Sequence, residues 1–262
     1  MRNAPASAYA RAGVYDLLHA PTAKAAARQV VAVAKKIRAP LGGMWYEPAC
    51  GSARVLRALA GMKGMERAEL RGVDLEPAMV RLARRTVRDE GFAGRVRVGL
   101  QDMSTHAPAG MRGRVGVAFC LDNSVRHLRS DAALVRHLRC VRGMLAPGGV
   151  YLVGVGLMAE GGEFASEDVV RLRVGREVWS QVFGFVPPEG GEGGGRDERV
   201  YVHLSAGRIQ EASTYVLRTY TLGQWEDVVR RAGLREVSVR DERGRELGLG
   251  RVGYGIRVLM AG

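Results

Sequence analysis

A chain of 262 residues, 47% hydrophobic and 26% charged, can bury a full core and has ordinary globular composition, which excludes a disordered tail protein. No apolar run approaches the roughly 18 residues of a membrane span, and the N-terminal MRNAPASAYARAGVYDLLHA has no apolar core followed by a cleavage signature, so a soluble, cytoplasmic protein with no membrane partner is expected. The net charge of +13 admits a nucleic-acid partner. However, Lys24, Lys35, Lys36 and Lys63 are the only lysines and the arginines are scattered through every segment, as the arginine bias of a GC-rich genome would leave them. Cys50, Cys120 and Cys140 show neither CxxC pairing nor zinc-like spacing, so neither a disulfide framework nor a metal site is expected.

In chain order, Ala8 to Arg38 reads as a helix, with Ala25, Val30, Val33, Ala34 and Ile37 at helical spacing and Pro21-Thr22 as its start. From Met44, strands and helices alternate. MWYEPA is a strand, SARVLRALAGM a helix, AELRGVDL a strand, and EPAMVRLARRTVRDEG a helix with Pro77 in its first turn and Gly91 as its stop. RVRVGLQDM and VGVAFCLDN are strands, SDAALVRHLRCVRGML is a helix, APGG a turn, and VYLVGVGL a strand. This alternation predicts a parallel, doubly wound α/β sheet with helices on both faces. Beyond Leu157 the pattern changes. RLRVGREVWSQVFGF and RVYVHLSAGRIQEASTYVLRTY alternate as antiparallel strands with a hairpin at SAGR, and PPEGGEGGGRDE reads as a flexible loop. TLGQWEDVVRRAGL is a helix capped near Thr221, and REVSVRDE and YGIRVLMAG close the chain as strands. The organisation predicted is one domain over 1–262, with a helical cover at 1–40 and an antiparallel lid inserted at 160–220.

Ligands of open α/β sheets bind at the carboxyl ends of the strands. Here Glu47, Asp74 and Asp102 follow the first three strands, and Cys120-Leu121-Asp122-Asn123 ends the fourth. A dinucleotide site would want only the second of those acids, because Glu47 would repel a pyrophosphate at close range. A ligand with ribose and adenine but a cationic, phosphate-free centre fits better, and S-adenosylmethionine is such a ligand. Asp74 is placed for its ribose hydroxyls, Asp102 for its adenine amine and Glu47 for its amino acid end.

Through YEPACGSARVL, GVDLEPAMVRLARR, QDM, VAFCLDNSVRHL and LRCVRGMLAPGGVYLV, residues 8 to 157 resemble the class I S-adenosylmethionine-dependent methyltransferases, most closely small-molecule enzymes of glycine N-methyltransferase-like organisation. The resemblance implies a Rossmann-like seven-stranded sheet with the last strand antiparallel. It also implies release of S-adenosylhomocysteine, and cofactor contacts from Tyr15, Glu47, Ala49, Cys50, Gly51, Asp74, Leu75, Met79, Asp102, Met103, Cys120 and Asn123. Tyr9 and Tyr15 match aromatic positions with which the family closes over the cofactor. The chain departs from the family's E/D-x-G-x-G-x-G: Ala49 and Ala53 replace the outer glycines, and close approach of the backbone is expected if their φ is negative.

The fourth strand lacks the D/N-P-P-Y/F motif of amino-nucleobase methyltransferases, which argues against methylation of a base amine. Asn123 could hold cofactor or substrate through its amide, and His127 could serve as a general base; each also has an ordinary structural reading. Trp179, Tyr201, His203, Tyr215 and Arg218 are candidate substrate contacts in the insertion, without assigned roles. The reading is methyl transfer to N or O of a small molecule, with an RNA methyltransferase and a non-catalytic cofactor-binding protein as alternatives. The oligomeric state stays open.

Overall fold

The computed structural model of the chain describes residues 11–105, 110–160, 162, 164–188 and 195–262. Helix α1 (Ala12–Lys36) precedes the alternating segment β1 (Met44–Pro48), α2 (Arg54–Ala60), β2 (Glu69–Asp74), α3 (Pro77–Asp89), β3 (Val96–Leu100), β4 (Val115–Cys120), α4 (Asp131–Met144) and β5 (Leu145–Leu157). Four further strands follow, β6 (Ser166–Val174), β7 (Glu177–Val186), β8 (Asp197–Ala206) and β9 (Ile209–Arg218), before α5 (Leu222–Arg231), β10 (Leu234–Arg240), β11 (Glu246–Leu247) and β12 (Gly253–Ala261).

The main sheet has the order β11-β10-β12-β5-β4-β1-β2-β3, with β1 to β5 parallel and β12 antiparallel to β5. The expected seven strands are therefore present, and the two-residue β11 extends the edge beyond β10. Strand parity divides the core. Trp45, Phe119, Leu152 and Ile256 point to the layer of α1, α2 and α3, and Tyr46, Ala118, Tyr151, Val153 and Leu259 point to the layer of α4 and α5.

Two local readings of the sequence change. Pro21 does not begin α1 but lies inside it. Residues 20–22 face solvent, while Leu18 and Ala23 are buried on either side, so the missing backbone donor falls on the wet face of a helix held by packing. The Ala146-Pro147-Gly148-Gly149 turn sits within β5 as an irregularity: Val115 pairs with Leu145, and the ladder resumes at Val117–Val150.

The insertion is a separate antiparallel meander, β6-β7-β8-β9. Its Val200, Val202 and Leu217 form a small core with Phe183, Phe185 and Tyr215. Charge ties this sheet to the tip of β4, where a 3-10 turn spans Ser124–His127. Buried Arg126 pairs with buried Glu198 at 2.8 Å and donates to the Arg218 carbonyl, Arg129 meets Asp197, and Asp131 receives Arg196 and Arg218. On the other side, His19 of α1 meets Gln181 at 3.0 Å and Arg11 pairs with Glu211. The glycine- and acid-rich loop expected before β8 falls partly outside the described residues.

Removing one partner of a desolvated ion pair strands the other charge. Glu198→Ala is therefore expected to lower unfolding free energy by about 3 kcal/mol in urea titration; a loss below about 0.5 kcal/mol would show that Arg126 finds other solvation.

Candidate functional site

The carboxyl ends of β1, β2, β3 and β4 converge on one cleft. The segment after β1 turns through three left-handed residues, Ala49 (φ 53°), Gly51 (φ 54°) and Ala53 (φ 59°). The condition of negative φ, on which close approach at the two alanines was expected, is not met: the turn keeps the left-handed backbone that glycine would adopt freely, at a cost of roughly 1–2 kcal/mol per alanine. What holds it is a set of directional bonds. The Gly51 N–H donates to Asp74 Oδ2 at 2.7 Å, the Cys50 N–H to the Val73 carbonyl at 2.9 Å, and the Ser52 hydroxyl to Asp16 Oδ1 of α1 at 2.5 Å. Asp74 Oδ1 also accepts from the Glu76 N–H at 2.8 Å. The N-cap of α3 is Glu76, not Asp74. Each Asp74 oxygen carries one backbone bond, which leaves acceptor capacity toward the cleft.

The cleft holds a cavity of roughly 520 Å³, within the range of small-molecule sites. Its walls include Tyr15, Ala49, Gly51, Asp74, Leu75, Met79, Asp102 and Met103, eight of the residues named from the sequence. They also include Glu76, Gln101, Ser104, Ser124, His127, Leu128, Arg129 and Ala133, of which only His127 had been singled out. With Asp74, Glu76 and Asp102 against the single Arg129, the wall is acidic despite the basic chain.

Four named residues lie elsewhere. Cys50 is buried against Gly72, where a Cβ would meet its sulfur at 2.8 Å, so that glycine is what lets the thiol pack on β2. Cys120 is buried in the α4 layer beside Tyr151. Asn123 turns its side-chain oxygen to the Gly156 N–H at 2.7 Å, pinning β4 to β5 rather than facing the cavity. Glu47 is buried outside the lining, and Arg54 pairs with Asp122 at 2.7 Å. Glu47 Oε2 has no hydrogen-bond partner among the described residues, and burial holds its carboxyl well above the usual range, with the charge of Arg54 opposing.

Burial also raises Asp74, against the backbone donors of Glu76 and Gly51. His127 lies in the 3-10 turn, 5.2 Å from the Tyr215 ring between centroids; burial and the charge of Arg126 push it down to about 4. A second cavity, also roughly 520 Å³, is lined by His127, Arg129, Arg199, Tyr201, Thr214, Tyr215 and Val216, so the two cavities meet at His127 and Arg129. Of the other insertion candidates, Arg218 is engaged by Asp131, and Trp179 and His203 do not line either cavity. Tyr9 lies outside the described residues.

Residues 46–149 match the family model described as a methyltransferase domain. Similar solved structures include DesVI of Streptomyces venezuelae, 21% identical with TM-score 0.73, covering 96% of this chain and 98% of that one. The sugar N-methyltransferase KedS8 of Streptoalloteichus is 18% identical with TM-score 0.73, covering 100% and 95%. The amino pentose methyltransferase CalS10 of Micromonospora echinaspora, solved with S-adenosylmethionine bound, is 20% identical with TM-score 0.67, covering 100% of each chain. No curated protein matches in sequence. The match places a methyltransferase domain at residues 46–149, within the parallel part of the main sheet. Among the described residues no helix is long and apolar enough to cross a membrane.

Glycine relieves the left-handed strain but loses more entropy on folding, by roughly 0.5–1 kcal/mol. Ala49→Gly and Ala53→Gly are each expected to raise stability by about 0.5 kcal/mol in denaturant titration; destabilisation would mean that packing of the methyl groups outweighs strain. A pH effect follows from Glu47. Its folded pKa lies above the unfolded value, so its contribution is fully present below about pH 4.5 and is lost as pH rises through the folded pKa. The stability of the wild type relative to Glu47→Gln should fall as the pH rises above about 4.5, and parallel curves would contradict the assignment.

Proposed function

We propose that the chain methylates an amino nitrogen of a small molecule bound between the acidic cavity and the β6–β9 sheet. The observation that carries this is the junction of the two cavities at His127 and Arg129, which gives a donor site on the main sheet a neighbouring acceptor site walled by the insertion.

When bound, S-adenosylmethionine supplies a sulfonium-activated methyl group and leaves as S-adenosylhomocysteine. Asp74, with Glu76 beside it, is the acceptor group for ribose hydroxyls. Asp102, Met103 and Ser104 bound the adenine end, and Ala49 and Gly51 of the turn after β1 meet the amino acid end. Tyr15 of α1 covers the cavity from the other side. These groups align donor and acceptor and exclude water, which supplies much of the acceleration in a one-step displacement.

The nitrogen preference rests on His127. A ring held near pKa 4 is uncharged at neutral pH and too weak a base to take a proton from a hydroxyl. A neutral amine attacks with its own lone pair, the C–S bond breaks as the N–C bond forms, and the resulting ammonium gives its proton to water. His127 can accept a hydrogen bond from the amine and orient that lone pair. The sugar N-methyltransferase KedS8 and the amino pentose methyltransferase CalS10 support a small amine-bearing acceptor. The acidic cavity wall is unlike a groove for a polyanion such as RNA.

The test is transfer of labelled methyl from S-adenosylmethionine to a panel of amino sugars and other small amines, beside hydroxylated analogues and RNA. Label should appear on nitrogen of a small acceptor, with one S-adenosylhomocysteine per methyl, and Asp74→Ala should weaken cofactor binding at least tenfold in calorimetry. Label on hydroxyl oxygen or RNA alone would overturn the reading.

A further inference from the structure

The cavity's Asp102–Ser104 wall rests on a buried polar chain that the proposed chemistry does not use. His137 of α4 is fully buried, with Nδ1 2.9 Å from the Met103 carbonyl and Nε2 2.7 Å from the Tyr151 hydroxyl. Donor accounting fixes every proton in it. The Met103 carbonyl can only accept, so Nδ1 carries the hydrogen and Nε2 is the acceptor. The Tyr151 hydroxyl therefore gives its single proton to Nε2. The chain runs from Tyr151 of β5, through His137 of α4, to the backbone of the loop after β3.

Met103 of that loop packs against the α4-side core, but the loop's other hydrogen bonds among the described residues are its own. The Ser104 N–H bonds to Asp102 Oδ1, and the Thr105 N–H and hydroxyl to the Asp102 carbonyl, all within the loop itself. Among the described residues, the His137–Met103 bond is the hydrogen bond that connects residues 102–105 to another element. His137 also lies one helical turn beyond Ala133, which lines the cavity, so the same face of α4 forms the cavity wall and supports the loop next to it.

We propose that His137 is a positioning residue, locked in its Nδ1–H tautomer by the Tyr151 hydroxyl, that holds Asp102–Ser104 at the adenine end of the cofactor cavity. The inference rests on the cofactor lying in that cavity, as proposed above. Its consequence is selective. Loss of the relay should weaken ligands that present an adenine while leaving the fold intact, and an amide able to donate at one end and accept at the other should substitute for the ring. Tyr151→Phe removes the proton that Nε2 needs and frees the ring to exchange tautomers.

The test compares His137→Gln, His137→Leu, Tyr151→Phe and Asp74→Ala, with S-adenosylhomocysteine and adenosine as probes in calorimetry, thermal unfolding as a folding control, and nitrogen NMR of the histidine side chains. The wild type should show a histidine held as Nδ1–H. His137→Leu and Tyr151→Phe should bind both probes about tenfold more weakly while still unfolding cooperatively, Tyr151→Phe should show mixed tautomers, and His137→Gln should retain affinity within about threefold. Wild-type affinity in a folded His137→Leu would overturn the proposal, as would an equal loss in His137→Gln and His137→Leu. Unchanged binding in Asp74→Ala would instead refute the cavity as the cofactor site, separating that failure from failure of the relay.

Discussion

The Asp74 carboxylate joins two strand tips that would otherwise be independent. One oxygen accepts the Gly51 N–H of the turn after β1, and the other accepts the Glu76 N–H that opens α3. A buried carboxylate is costly to keep charged unless donors surround it, and two backbone N–H groups at 2.7 and 2.8 Å provide them. In return the bond at Gly51 closes a turn whose alanines sit in an unfavourable backbone region. The cavity, the entry to α3 and the strained loop thus share one anchor, and α1 adds a second through Asp16 and Ser52.

Strain and burial concentrate on the same edge of the sheet. Besides the turn after β1, Asp122 and Asn123 at the end of the neighbouring β4 also take positive φ. Asn123 is kept there by its bond to β5, and the 3-10 turn that follows sends Arg126 into the insertion and His127 to the junction of the two cavities. Clustering of such conformations at one site is expected where surrounding structure must hold groups in fixed geometry for a ligand. The buried Arg126–Glu198 pair ties the β6–β9 sheet to the tip of β4, so the insertion is joined to the edge of the cavity rather than appended to it.

Much of the α/β frame was legible because strand and helix periods alternate cleanly from Met44 to Leu157, and because Gly91, Thr221 and Gly233 mark real ends. The helix start at Pro21 was not, because nothing in the local sequence shows that buried residues on both sides carry α1 through it. At the site, acids at strand tips were readable by position. The side on which a neighbouring residue points was not: strand parity sends Cys120 to the α4 layer, and Gly72 draws Cys50 onto β2. Backbone φ is invisible in a one-letter code, so Ala49 and Ala53 looked like residues of ordinary conformation. Ser124, Leu128, Arg129 and Ala133 reach the cavity only because the 3-10 turn and the start of α4 fold back over it, a tertiary fact without a local signal.

Acids at three neighbouring strand tips, Glu47, Asp74 and Asp102, suit an adenosyl ligand with a cationic amino acid end and not one with a pyrophosphate. Equilibrium competition on the purified chain tests it most directly, with S-adenosylmethionine and NADH titrated separately and against each other in calorimetry. Saturable binding of S-adenosylmethionine that NADH at millimolar concentration does not displace is the predicted result. Tight binding of NADH with no measurable binding of S-adenosylmethionine would contradict it.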